Sequence, residues 1–104
     1  MLKKKFLKTK CKVTFELPET LPGIQEVYLV GDFNDWDRHA MPMQHKRGRF
    51  TATLDLALNQ EFQFRYVANS GIWHTDEAAD GHVANPFGEK NAVVSTFAAD
   101  ATQR

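Results

Sequence analysis

The sequence has a single cysteine, Cys11, so no internal disulfide can staple the fold, and stability has to come from packing as in chains kept in a reducing compartment. The cytoplasm is therefore the expected location. Long apolar runs are missing as well. Nowhere do about 20 apolar residues follow one another, the length a bilayer span requires. The lysine-rich amino terminus MLKKKFLKTKCK is not followed by the apolar core of a signal peptide. Neither membrane insertion nor secretion by that route is expected. Charge of one sign is also lacking, since 13 basic residues balance 13 acids. Six of the basic residues crowd into the first 12 positions, which leaves seven bases against 13 acids in a mildly acidic remainder. A nucleic-acid surface needs many lysines and arginines on one face to displace phosphate counterions, so no nucleic-acid partner is expected. No stretch carries a convincing amphipathic helical period, and no segment repeats.

What is present is alternation of period two. Cys11, Val13, Phe15 and Leu17 alternate with Lys10, Lys12, Thr14 and Glu16, the pattern of a strand with one buried face. After Pro18 and Pro22-Gly23, the short apolar run Glu26 to Val30 predicts a buried second strand ending at Gly31. Phe50, Ala52, Leu54 and Leu56 form a third alternating set behind the polar turn Lys46 to Arg49. Phe62, Phe64, Tyr66 and Ala68 form a fourth beyond Asn59-Gln60, which together predict an antiparallel hairpin with Arg65 pointing away from the aromatic face. The polar stretch between Asn69 and Asn85 reads as a long surface loop with a short strand near Trp73, and Asn91 to Phe97 reads as a last strand. Five to seven short strands with no helix predict an all-β antiparallel sandwich, the immunoglobulin-like type being the leading choice. The expected layout is a basic arm over 1–9, the sandwich over 10–97 and a frayed tail over 98–104.

The most informative segment is Gly31-Asp32-Phe33-Asn34-Asp35-Trp36, where an apolar strand runs into a glycine and an Asx-rich turn that would expose the indole. This segment resembles the G-x-F-N-x-W motif of family 48 carbohydrate-binding modules. That family includes the early-set domains of isoamylases and glycogen-branching enzymes and the glycogen-binding domain of AMP-activated protein kinase β subunits. The resemblance continues through Phe62 to Val67, Trp73 and Asn85-Pro86-Phe87-Gly88-Glu89-Lys90-Asn91, covering residues 13 to 97. It is strongest to the small free-standing bacterial isoamylase early-set proteins. It implies an early-set immunoglobulin-like sandwich whose partner is an α-glucan such as glycogen or a maltooligosaccharide. The implied sugar site consists of Trp36 and Trp73 as stacking platforms, Arg65 and Asn91 as hydrogen-bonding residues, and Phe87 as an apolar wedge in the curve of the glucan. The chemistry suits the ligand, because a pyranose offers an apolar C–H face to an indole and a rim of hydroxyls to donors and acceptors. Two departures stand out: Glu89 falls where the kinase domains carry a threonine, and Arg65 replaces their lysine.

Each residue also has a purely structural reading. Either tryptophan could cap the core, Arg65 could pair with an acid on a neighbouring strand, and Asn91 could be a turn residue bonded to its own backbone. Gly31, Phe33 and Gly88 read as structural, with Phe33 filling the core beneath the Trp36 loop. His74, Asp76, Glu77, Asp80 and His82 lack a recognised ligand spacing and read as solvated loop charges, so no metal and no cofactor are expected. Nothing advertises a cleft with paired acids, so catalysis is not expected and a separate glycogen-active enzyme becomes a candidate partner. Cys11 reads as a buried, inert thiol. The competing functional reading is an early-set domain that has lost sugar binding and docks proteins through a sheet edge or the lysine arm, which would separate or bury the tryptophans.

Overall fold

The computed structural model describes residues 2–18, 24–69 and 71–97. Their alternating segments become nine strands: β1 (Leu2–Phe6), β2 (Lys10–Pro18), β3 (Val27–Gly31), β4 (Gln44–Lys46), β5 (Arg49–Ala57), β6 (Glu61–Ala68), β7 (Ile72–His74), β8 (Gly81–Ala84) and β9 (Lys90–Ser95). One short 3₁₀ turn, Asp32–Asn34, follows β3. The strands form two antiparallel sheets, β1-β2-β5-β4 and β3-β6-β9-β8, with β7 also paired to β6. The chain is therefore an all-β sandwich of the immunoglobulin-like kind.

Period-two patterning explains which side chains meet between the sheets. Cys11, Val13 and Phe15 of β2 and Phe50 and Leu56 of β5 face Leu29, Phe64, Tyr66, Ala92 and Val94 of the other sheet, all buried. The aromatic rings interlock edge to face, with 5.0 Å between the Phe15 and Phe64 centroids and 5.7 Å between Phe64 and Tyr66. Phe33 packs on this core from its edge, 5.6 Å from Phe15. The Cys11 thiol is fully enclosed, and burial pushes its pKa up, so it stays protonated and unreactive.

Several sequence expectations change. Nine strands replace the expected five to seven among the described residues, because β4 and β8 are only three and four residues long and β1 lies among lysines, whereas β7 is the short strand expected near Trp73. In β1, Leu2 and Phe6 pack against the core while Lys3 and Lys5 stand outside, so the first residues of the basic segment are a paired strand against β2. The expected frayed tail, 98–104, lies outside the described residues.

The predicted hairpin of residues 50–56 with 62–68 does not form. Both edges of β5 are taken by β2 and β4, while β6 pairs with β3, β7 and β9 in the other sheet. Alternation specifies a buried face and leaves open which sheet supplies it. Asn59, with φ of 60°, turns the chain across the sandwich, and Thr96 pins the crossing. The Thr96 hydroxyl donates to the Ala57 carbonyl at 2.7 Å and accepts from the Gln60 amide at 3.0 Å.

Of the loop charges expected to be solvated, Glu77 is exposed, but Asp76 and Asp80 are engaged by the sheets. Asp76 is buried and accepts a 2.9 Å hydrogen bond from the Tyr66 hydroxyl. Asp80 accepts from the Ser95 amide at 2.8 Å and pairs with Lys4 at 2.6 Å. These carboxylates tie the 75–80 loop to both sheets, which explains why charge is retained where a loop would otherwise be free.

Candidate functional site

The outer face of the second sheet is organised by β6. One edge of β6 is shared by two strands: β9 pairs with residues 61–64 and β7 with residues 66–68. Arg65 lies at the junction between them, with its side chain on the outer face because Phe64 and Tyr66 point inward. Trp73 stands opposite Val67 across the β6–β7 ladder, and Asn91 lies in β9 beside the junction. Ladder geometry gathers these groups.

Trp36 arrives from the other side. Asn34 turns back on β3, accepting from the Gly31 amide at 3.1 Å and donating to the Leu29 carbonyl at 2.9 Å. Asp35 and Trp36 then take left-handed φ values of 57° and 58°, and the Trp36 amide donates to the Gly31 carbonyl at 2.9 Å. A left-handed conformation at a bulky residue costs on the order of 1–2 kcal/mol, which the surrounding bonds must offset. Asp32 supplies part of that support. Its carboxylate accepts from the Trp36 indole at 2.9 Å and from the Gln63 amide at 2.7 Å, fixing the ring to β6. Gly31 makes the turn possible, since a Cβ there would lie 2.5 Å from the Gln63 carbonyl oxygen and 2.9 Å from the Phe64 Cβ.

The third wall is the loop joining β8 to β9. Asn85 closes it: its side-chain oxygen accepts from the Phe87 and Glu89 amides at 2.9 and 3.1 Å, and its own amide donates to the Glu89 carbonyl at 2.8 Å. Gly88, at φ of 82°, completes the turn. Phe87 is left at the tip with 88% of its area in solvent.

Trp36, Arg65, Trp73, Phe87 and Asn91 thus line one open cleft of about 560 Å³, together with Asn85, Pro86 and Glu89. Neither indole belongs to the inter-sheet core. Arg65 is held from three directions. Its Cζ lies 5.3 Å from the Trp73 ring centroid, its Nε donates to Thr75 Oγ1 at 3.2 Å, and its Nη1 lies 2.7 Å from Glu89 Oε1. Thr75 is itself anchored by a 2.6 Å bond to the Lys90 carbonyl. Asn91 donates to Gln63 Oε1 at 3.0 Å and accepts from Asn85 Nδ2 at 3.1 Å, so its amide is oriented by side chains of other elements.

Sequence reasoning did not assign roles to Asp32, Gln63, Thr75 or Asn85. Asp32 and Asn85 carried a readable signal, an Asx residue beside a tight turn, whereas the partners of Gln63 and Thr75 depend on strand pairing alone. Among the described residues, no three His, Cys, Asp or Glu side chains are placed to hold a metal ion.

A family model for the glycogen recognition site of AMP-activated protein kinase matches residues 12–102. The 5'-AMP-activated protein kinase subunit beta-1 of Sus scrofa is 32% identical over 72 residues, covering 69% of this chain and 55% of that protein. The chain spans about half the length of that relative. With the matched region running from β2 to beyond β9, across every residue of the cleft, the chain belongs to the family of the glycogen recognition site of AMP-activated protein kinase.

Proposed function

We propose that the protein is a non-catalytic module that binds α-glucan, glycogen or maltooligosaccharide, in the cleft between Trp36, Trp73 and Phe87. The observation that carries this reading is the convergence of two non-core indoles, an exposed phenyl ring and oriented Arg and Asn side chains on one surface. Glucose rings would lay their C–H faces on Trp36 and Trp73. Arg65 and Asn91, both held in place before ligand arrives, would bond the hydroxyl rim, so little ordering entropy is lost on binding. Phe87 would fill the hollow of the curved chain. A protein-docking domain that had lost sugar binding would leave the indoles separated or buried, and here they border the same cleft.

Glycoside hydrolysis needs two carboxylates flanking the bond. Glu89 is the one acid among the cleft residues, and it is already paired with Arg65, which supports a binding role without catalysis. Among the described residues no helix is long and apolar enough to cross a membrane. The lone buried thiol fits a reducing compartment such as the cytoplasm, where a separate glycogen-active enzyme would be the natural partner.

The test is a titration of intrinsic tryptophan fluorescence with maltoheptaose and β-cyclodextrin. The wild type should respond saturably, and folded Trp36→Ala and Trp73→Ala variants should each bind more weakly. Absence of binding at millimolar sugar would refute the glucan reading.

A further inference from the structure

We propose that Glu89 sets the ligand class of the cleft: uncharged glucan is accepted, and glucan bearing anionic groups on the contacting sugars is refused. This rests on the glucan-binding reading above. The charged groups of the cleft are Arg65 and Glu89. Arg65 alone would make a good anion receptor, because its side chain is only 10% exposed and its guanidinium is fixed by Trp73 and Thr75, with little left to order on binding. Glu89 closes that receptor at 2.7 Å and cancels its charge.

The carboxylate is also placed to meet ligand. Its side chain is 57% exposed, and its backbone is held at both the amide and the carbonyl by Asn85, so the group stays at the cleft wall. A glucose hydroxyl can donate to a carboxylate and accept from the neighbouring guanidinium, which suits the Arg65–Glu89 pair to a neutral polyol. A sugar phosphate or carboxylate offers acceptors only at neutral pH. It finds the arginine's charge already cancelled and a like charge beside it.

The experiment is calorimetric titration of the full chain with maltoheptaose and with maltoheptaose oxidised to the carboxylate at every O6. The wild type should bind the neutral sugar at least about fivefold more tightly, the lower end of what one like charge at contact distance produces in water. Glu89→Gln retains an oxygen for Arg65 and removes the charge. It should reduce the neutral-to-anionic ratio by at least about fivefold, with maltoheptaose binding still measurable. Maltoheptaose binding by the same variant shows that it is folded. Equal wild-type affinity for the two sugars, tighter binding of the oxidised one, or a ratio unchanged in Glu89→Gln overturns the role of Glu89 while the glucan reading stands. Binding of neither sugar by the wild type overturns both.

Discussion

Phe87→Ala removes a ring of which 88% lies in solvent and which takes no part in the inter-sheet core. The loop beneath it is closed by Asn85 through backbone amides, and these bonds survive the substitution. Folding stability should therefore change by no more than about 0.5 kcal/mol, as for ordinary surface replacements. Binding should respond differently. Full burial of a phenylalanine side chain is worth roughly 1.5–3 kcal/mol, and a sugar chain covering about half of the ring would gain about 0.8–1.5 kcal/mol. That corresponds to maltoheptaose affinity about four- to twelvefold weaker in the variant. Calorimetric titration reads the affinity, and a urea unfolding curve on the same preparation reads the stability. Unchanged affinity would remove Phe87 from the ligand site. A stability loss above about 1 kcal/mol would contradict the claim that the ring has no structural role.

Two further outcomes follow from the core. Gly31→Ala would place a methyl group 2.5 Å from the Gln63 carbonyl oxygen and 2.8 Å from the Phe33 ring, so the melting temperature should fall with a loss of about 1–3 kcal/mol; an unperturbed melt would show that the turn can shift freely. Burial, with Asp76 beside it, raises the Tyr66 pKa far above its ordinary value, so above about pH 10 the unfolded chain releases a proton that the folded chain keeps. Stability from this group is therefore complete below pH 10 and declines above it, by about 1.4 kcal/mol per pH unit. Tyr66→Phe should flatten the alkaline slope of denaturant stability by that amount, and an unaltered slope would refute the assignment.

Strand existence was legible wherever apolar and polar residues alternate cleanly, as in 11–17, 50–56 and 62–68. The pattern failed where the information was relational. Nothing in Leu54 or Phe64 says that their strands belong to opposite sheets; that follows from β2 and β4 occupying both edges of β5. In β1 the signal was present but masked, because Lys4 occupies an inward register position and reaches out to Asp80. Asp76 was misread for a related reason. A carboxylate in a polar loop looks solvated until a buried hydroxyl from another strand is found to need it, and Tyr66 is that group.

The cleft residues were legible as types in a recurring order, but the state of Arg65 was not. As a lone cation it would attract any anion, and as a surface ion pair it would contribute little to stability. Its position at the junction of β7 and β9 makes it neither. Arg65 sits between the two short ladders on one edge of β6, and there Thr75, the indole and Glu89 hold its guanidinium from three directions. An arginine so enclosed works as a fixed post against which hydroxyls can be sorted. Which hydroxyls, and whether charge is tolerated among them, then depends on the one acid paired with it.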